Sequence, residues 1–305
     1  MLATSRMLIR HLFYFVTLAR EKHYARAAEV CNIAQPTLSS AIRKLEEDLQ
    51  VVLVIRGHRF MGLTPDGEKV LQWGRRILSD YDSLREGLSG SPSGLSGTLE
   101  LGAVPGSTPA LPFLTQLYAS QHPNVTINIR SMSAKAIQQA VETFEIDAGI
   151  TYIDDKRLEN VRHIPLYPER YIFVTRRGSK FADRGTITWA EAAQERLCLL
   201  SETMQNRRFI DEILASRGTR VNPVVVNDTF LGVYAHTVLG DWSSIVPHAF
   251  QLMLGGIPDL CAVPLVEPEA TQMMGLVLPN REPLSPVAGT LLSIATSADL
   301  SALLA

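Results

Sequence analysis

Residues 34–49 read "AQPTLSSAIRKLEEDL", with a proline set inside an otherwise continuous amphipathic helix. Leu38, Ala41, Ile42, Leu45 and Leu49 recur at helical spacings and fall in one arc, which predicts a buried face. Pro36 fits the first helical position, where its missing amide leaves no hydrogen bond unmade and its fixed φ suits the turn. Gln35 is left at the helix entrance. The opposite arc carries Pro36, Ser40, Arg43 and Glu47, flanked by Ser39 and Lys44. Its beginning is neutral or basic and its end carries Glu46, Glu47 and Asp48, so only the N-terminal half tolerates a polyanion.

Upstream, Leu8, Leu12, Phe15, Val16 and Ala19 line one face of residues 7–21, and "ARAAEVC" supplies a second short helix. "NIAQ" is a tight connection into the helix above, giving the two-helix unit of a helix-turn-helix. Downstream, "VVLVIRGHRFMGLT" has two β-prone arms around a hairpin tip with Arg56, His58 and Arg59, which reads as a wing. Thr64 and Pro65 suit the N-cap and first turn of a long helix ending near Leu88. Its Val70, Gly74, Ile77, Tyr81, Leu84 and Leu88 alternate four and three apart, the seam of a short coiled coil. "SGSPSGLSG" follows as a flexible linker.

From Thr98 the pattern changes to strands alternating with helices, which predicts α/β architecture with a largely parallel sheet. "RYIFVTRR" opens a second such run, and the final "MMGLVLPN" and "SPVAGTLLSIATSADLSALLA" supply a strand and helix that return to the first. The expected chain is therefore multidomain. Residues 1–64 form a winged helix-turn-helix, 65–97 a dimerisation helix and hinge, and 98–305 a two-lobed α/β domain. Lobe 1 takes about 98–168 and 272–305 and lobe 2 about 169–271, with a cleft between them.

The 305 residues are 46% hydrophobic and 20% charged, soluble globular composition with length for two or three domains. Apolar runs fall far short of the ~20 residues of a membrane helix. The start "MLATSRMLIRH" lacks a signal-peptide core, so a cytoplasmic protein is expected. Residues 1–64 hold nine Lys+Arg against five Asp+Glu, or +4; taking these from totals of 29 and 31 leaves −6 for the rest. A basic head on an acidic body points to a polyanion partner for the head alone. Cys31, Cys198 and Cys261 are odd in number and set in apolar contexts, which predicts packing thiols rather than disulfides or a metal site, with a redox role for Cys198 the minor reading.

The major groove admits one helix and displays hydrogen-bonding base edges, so a reader needs short polar groups at the helix entrance and bases for the phosphates. Gln35, Pro36, Thr37, Ser39, Ser40 and Arg43 meet that need: Gln35 suits an adenine edge, Pro36 and Thr37 a thymine methyl, and Arg43 a guanine or a phosphate. Arg26 starts the preceding helix, where it suits the backbone, and Arg56 or Arg59 suits the minor groove. Each alone also fits a solvated surface.

Open α/β sheets bind ligands at the carboxyl ends of their strands. Those loops offer Ser107, Thr108, Ser131, Ser133, Thr151, Ser201, Thr203, Gln205, Asn206, Asp228 and Thr229. Thr108 reads as an N-cap and Pro109 as a first helical residue, so free amides beside two hydroxyls suit a small anion such as a carboxylate. Glu202 and Asp228 favour a ligand that also carries an amine or hydroxyl. With no "HExxH", "GxSxG", Gly-rich phosphate loop or metal-spaced cluster, an enzyme is not expected, nor a cofactor or metal.

Across essentially its whole length the chain resembles the LysR-type transcriptional regulators. "ARAAEVCNIAQPTLSSAIRKLEEDL" followed by "LVIRGHRFMGLTPDG" is similar to the family's winged helix-turn-helix signature. "GTLELGAVPGSTPALPFLTQLYASQHPNVTINI" resembles the opening of its effector-binding domain, whose two-lobed fold is shared with periplasmic binding proteins. The resemblance implies a homo-oligomer, usually a tetramer built from dimers, that binds double-stranded promoter DNA and responds to a small metabolite, with no membrane contact. The alternative is a cytoplasmic metabolite-binding module or enzyme on a periplasmic-binding-protein-like fold. Three departures stand out: Ala25 replaces a capping hydroxyl, Gln50 stands where a glycine commonly closes the recognition helix, and "VLVIR" replaces the usual phenylalanine and acid.

Overall fold

The computed structural model describes residues 2–55, 57, 59–88, 94–154, 158–254 and 259–304. Two compact units emerge, the first built mainly from residues 1–92 and the second from residues beyond 92.

The first unit begins with helices α1 (Leu2–Glu21), α2 (Tyr24–Val30) and α3 (Gln35–Leu49) and continues into the long α4 (Pro65–Leu88). Leu12, Phe15 and Leu18 of α1 meet Ala27 and Ala28 of α2 and Leu38, Ala41, Ile42 and Leu45 of α3 in one core. Leu49 departs from the expected arc and is 39% exposed, because α3 ends there and Gln50 turns the chain away. Gln50 takes the left-handed conformation, φ 56°, that its position at the helix end requires. The predicted seam of α4 divides. Val70 packs on the head core, and a Cβ on Gly74 would lie 3.2 Å from Val16, so both positions serve α1. Ile77, Tyr81 and Leu84 remain exposed.

The second unit contains two sheet systems. Strands β1 (Ser96–Ala103), β2 (Asn124–Ser131), β3 (Ala148–Tyr152) and β4 (Val161–Glu169) belong to the first lobe, with helices α5 (Leu111–Gln121) and α6 (Ala134–Glu142). The second lobe takes β5 (Tyr171–Arg176), β6 (Ile187–Thr188), α7 (Trp189–Ala192), β7 (Cys198–Leu200), α8 (Gln205–Ser216), β8 (Val225–Asn227), α9 (Phe230–Leu239), β9 (Ser244–Pro247), α10 (Gln251–Leu254) and β10 (Leu260–Val266). The chain then returns through β11 (Gln272–Pro279), α11 (Pro286–Ser297) and α12 (Leu300–Leu303).

First-lobe strand order is β2-β1-β3-β11-β4, and second-lobe order is β6-β10-β5-β9, with β7-β8 joined to β9 through Leu197 and Ser243. The sheets are mixed rather than largely parallel. β1 pairs parallel with β2 and β3, whereas β11 runs antiparallel to β3 and β4 because it re-enters from the other lobe. β5 is antiparallel to both β9 and β10 for the same reason. Its side chains alternate: Tyr171 and Phe173 enter one core with Trp189 and Ile210, and Ile172 and Val174 enter another with Cys198 and Phe230. The chain crosses between lobes at Arg170 and again just before Gln272, and Glu169 and Gln272 face each other in register at those crossings.

Candidate nucleic-acid interface and effector site

Among the residues expected to read DNA, Gln35, Pro36, Thr37, Ser40 and Arg43 of α3 are exposed and Ser39 is half-buried; Lys44, Glu47, Asp48 and Leu49 are exposed further along the helix. Helix α3 starts at Gln35, so Pro36 is its second residue, one later than expected; its missing amide still falls among those the helix leaves unpaired. No side chain caps this end; Pro36 has no amide, and the Thr37 and Leu38 amides donate to the Ala34 carbonyl at 3.0 and 3.1 Å. Lys44 is engaged by Glu47 and Asp48, at 3.4 and 3.1 Å, so Arg43 is the forward-facing base of this helix.

Helix α2 replaces the missing hydroxyl at Ala25 with a different cap: the Arg26 amide donates to His23 Nδ1 at 3.4 Å. The exposed Arg26 guanidinium donates to the Glu21 carbonyl at 2.9 Å, joining α2 to the end of α1. Among the described residues the two arms of the wing meet antiparallel at a bridge between Val54 and Leu63, supported by the Ile55 amide donating to the Gly62 carbonyl at 3.0 Å. Arg59 is exposed on it; Arg56 and His58 lie outside the described residues.

Glu46 does what its acidic neighbours do not. Its Oε1 accepts from the amides of Leu53 and Val54 at 2.8 and 3.2 Å, tying the recognition helix to the first arm of the wing. Gly67 lets α4 approach the same arm, since a Cβ there would overlap the Leu53 carbonyl oxygen. Thr64 caps α4 as expected, accepting from the Gly67 amide at 2.9 Å.

In the second unit the first-lobe loop differs from its sequence reading. Pro105–Ser107 is a 3-10 turn, Thr108 continues it with φ −49°, and α5 begins only at Leu111. Thr108 is therefore not an N-cap, and Pro109 does not start the helix. The Ser107 and Thr108 hydroxyls donate to the Val104 and Pro105 carbonyls at 2.8 Å each, and the amides of Ser107, Thr108 and Ala110 close the same turn. The physical reason is the spacing of prolines, because Pro105 opens one tight turn and Pro112 fits the first turn of the next helix.

The other loop residues fall into different environments. Ser131 ends β2, and Ser133 accepts from the Ala136 amide at the start of α6, 3.3 Å. Thr151 is fully buried, and its hydroxyl has no partner. Ser201 and Thr203 share a hydroxyl bond of 2.8 Å, while Gln205 opens α8 without a side-chain cap. Asp228 is exposed, and Thr229 caps α9 by accepting from the Gly232 amide at 3.0 Å. Asn206 is buried and turned inward, donating to the Tyr171 hydroxyl at 3.1 Å. Arg207, 3% exposed, holds the loop from below through the Leu200 carbonyl at 3.0 Å and Asp211 at 2.9 Å.

Beneath these loops lies fully buried Glu169. Its Oε1 accepts from the hydroxyls of Tyr152 and Tyr171 at 3.0 and 3.2 Å. Burial pushes its carboxyl up to about 7, against the smaller downward pull of the two phenols. A separate second-lobe depression of about 750 Å³ holds none of the expected effector residues; its bases Lys180 and Arg196 face Glu195 and Asp241 at 2.9 and 3.8 Å.

A basic winged helix-turn-helix, a long helix and a two-lobed α/β domain with hydroxyl-lined strand ends define a DNA-binding regulator with an effector domain. The profile of the LysR substrate binding domain matches residues 92–299, and that of the bacterial regulatory helix-turn-helix protein, lysR family, matches residues 9–68. The chain belongs to the LysR family of transcriptional regulators. It is 29% identical over 288 residues to the transcriptional regulator BenM of Acinetobacter baylyi, covering 90% of this chain and 91% of that one. A full-length OxyR variant from Pseudomonas aeruginosa shares its fold with TM-score 0.78 at 22% identity, covering 96% of each chain. Full-length CbnR in complex with its target DNA does so with TM-score 0.66 at 20% identity, covering 94% of this chain and 98% of that one. Among the described residues no helix is long and apolar enough to cross a membrane.

Proposed function

We propose that this regulator acts in the cytoplasm as a non-catalytic homo-oligomer, a dimer of dimers, that reads two-fold operator DNA through α3 and responds to a small metabolite between its lobes. The observation that carries the reading is the exposed row Gln35, Pro36, Thr37, Ser40 and Arg43 at the uncapped end of α3. Gln35 reads a base edge, Arg43 a guanine or phosphate, Arg26 the backbone beside α2, and Arg59 the minor groove. Ile77, Tyr81 and Leu84 form the seam between two copies of α4.

The effector is a small molecule with an acceptor group such as a carboxylate. Because the amides after Pro105 and the Thr108 hydroxyl are spent within their own turn, its anchor is the uncapped start of α8, beside Ser201 and Thr203, with the unpartnered hydroxyl of Thr151 on the first-lobe side. The test is a gel-shift titration on promoter fragments run beside a thermal-shift screen of carboxylate metabolites. A shifted duplex whose affinity changes with a stabilising metabolite supports the reading. A metabolite that binds without any duplex binding replaces it with a solute-binding role.

A further inference from the structure

Resting on the reading that the cleft loops take the effector, the contacts around Glu169 carry one step more. The carboxyl stands where both chain crossings meet, at the end of β4 and opposite Gln272 of β11. Its Oε1 is held by Tyr152 and Tyr171, but its Oε2, equally buried, has no partner. That orphan oxygen faces the first-lobe loop: a Cβ on Gly106 would lie 3.4 Å from it and 2.8 Å from the Tyr152 hydroxyl. On the other side the Tyr171 hydroxyl contacts Gln272 Oε1 at 2.9 Å and accepts from Asn206 of the second-lobe loop at 3.1 Å. Both effector loops therefore rest on one carboxyl.

We propose that Glu169 is the positioning residue of the effector cleft, and that gain or loss of its proton shifts the order of the Pro105–Thr108 and Ser201–Asn206 loops together. A phenol has one proton to give. With Glu169 ionised, Tyr171 donates to it; with Glu169 protonated, Tyr171 is released to Gln272. Ionisation also leaves a charged Oε2 against the Gly106 backbone with no donor, which favours opening of the turn to admit water.

The titratable groups facing Glu169 are Tyr152 from β3, Tyr167 from its own strand and Tyr171 from β5; Gln272, Asn206 and Gly106 contribute none. Burial holds all three phenols well above their ordinary range, so they stay neutral. No cation pairs with Glu169 among the described residues. The neighbouring ring of His248, 6.2 Å from Tyr167 and accepting from the Arg170 amide, is lowered by burial and then by Arg170, so it titrates in a more acid range.

Hydrogen exchange by mass spectrometry on the full-length protein, without effector, tests this. Protection factors of peptides spanning 104–110 and 200–208 are compared at about pH 6 and about pH 8, on either side of the carboxyl's midpoint. The wild type is expected to lose protection several-fold in both peptides at the higher pH, and Glu169→Gln to lose none. No loss in the wild type, or the same loss in Glu169→Gln, overturns the proposal. If Glu169→Gln does not fold, Tyr171→Phe decides, because it keeps the carboxyl but cuts the link to Asn206: loss confined to 104–110 supports the proposal and loss in both peptides overturns it. Because no effector is used, this outcome is separate from whether Ser201 and Thr203 bind one.

Discussion

The carboxylate of Glu46, near the end of the recognition helix, accepts the backbone amide of Leu53 at 2.8 Å, and this bond sets where the wing starts. Glu46→Ala leaves two wing amides without that acceptor and is expected to destabilise the head by about 1–3 kcal/mol. Glu46→Gln keeps one acceptor oxygen and should recover most of the loss. Thermal denaturation of the three proteins, with duplex affinity measured in parallel, checks this; equal affinity for all three removes the wing-positioning role.

Arg26 lies on the polyanion side of the head but spends one guanidinium nitrogen on the Glu21 carbonyl. If it also meets a phosphate, Arg26→Ala weakens every duplex alike and lowers the log–log salt slope by about 1. A slope unchanged by the substitution leaves Arg26 with only its structural bond.

The exposed half of α4 needs a partner, since Leu84 is 59% exposed while Val70 and Gly74 are already covered by the head. Ile77→Asp with Leu84→Asp should reduce the assembly by light scattering and leave the head folded. Assembly of wild-type size in the double variant eliminates this seam.

Burial pushes the Cys198 thiol up to about 11, and the half-buried Cys31 and Cys261 are raised for the same first reason. Native protein at about pH 8 is expected to alkylate Cys198 only after unfolding, because the thiolate is the nucleophile. Rapid native labelling of Cys198 would restore the redox reading.

Stability should also depend on pH through Glu169. Its carboxyl binds a proton more tightly in the folded chain, at about 7 against an ordinary 4.5, so the folded state holds more protons between those values and stability falls as pH rises through them. The full effect is at most about 3 kcal/mol and is complete above the folded value. Glu169→Gln should remove that slope and gain on the wild type at alkaline pH; parallel denaturation curves at every pH would count against it.

The helical head was legible because α3 and α1 obey a strict 3.6 period and Gln50 stands at an unmistakable helix end. Strands β4 and β10 escaped the reading, since Pro165, Pro168 and Pro264 break the pattern that marks a strand. The mixed sheet order was hidden for another reason: alternation of elements does not say that β11 re-enters the first lobe antiparallel. At the site, hydroxyls at strand ends were visible, but Thr108 as a cap was not borne out because three prolines within eight residues make two turns where one was read. Glu46 and Glu169 left no local signal, for their partners lie across the fold rather than along a helix.

Operator selection from a random duplex pool tests the central claim most directly, with wild type and Gln35→Ala run side by side on the full-length protein. The wild type should enrich a two-fold symmetric sequence, and Gln35→Ala should relax it at one position in each half-site while keeping the symmetry. No enriched sequence from the wild type, or an identical one from both proteins, would contradict the assignment of α3 as the reader.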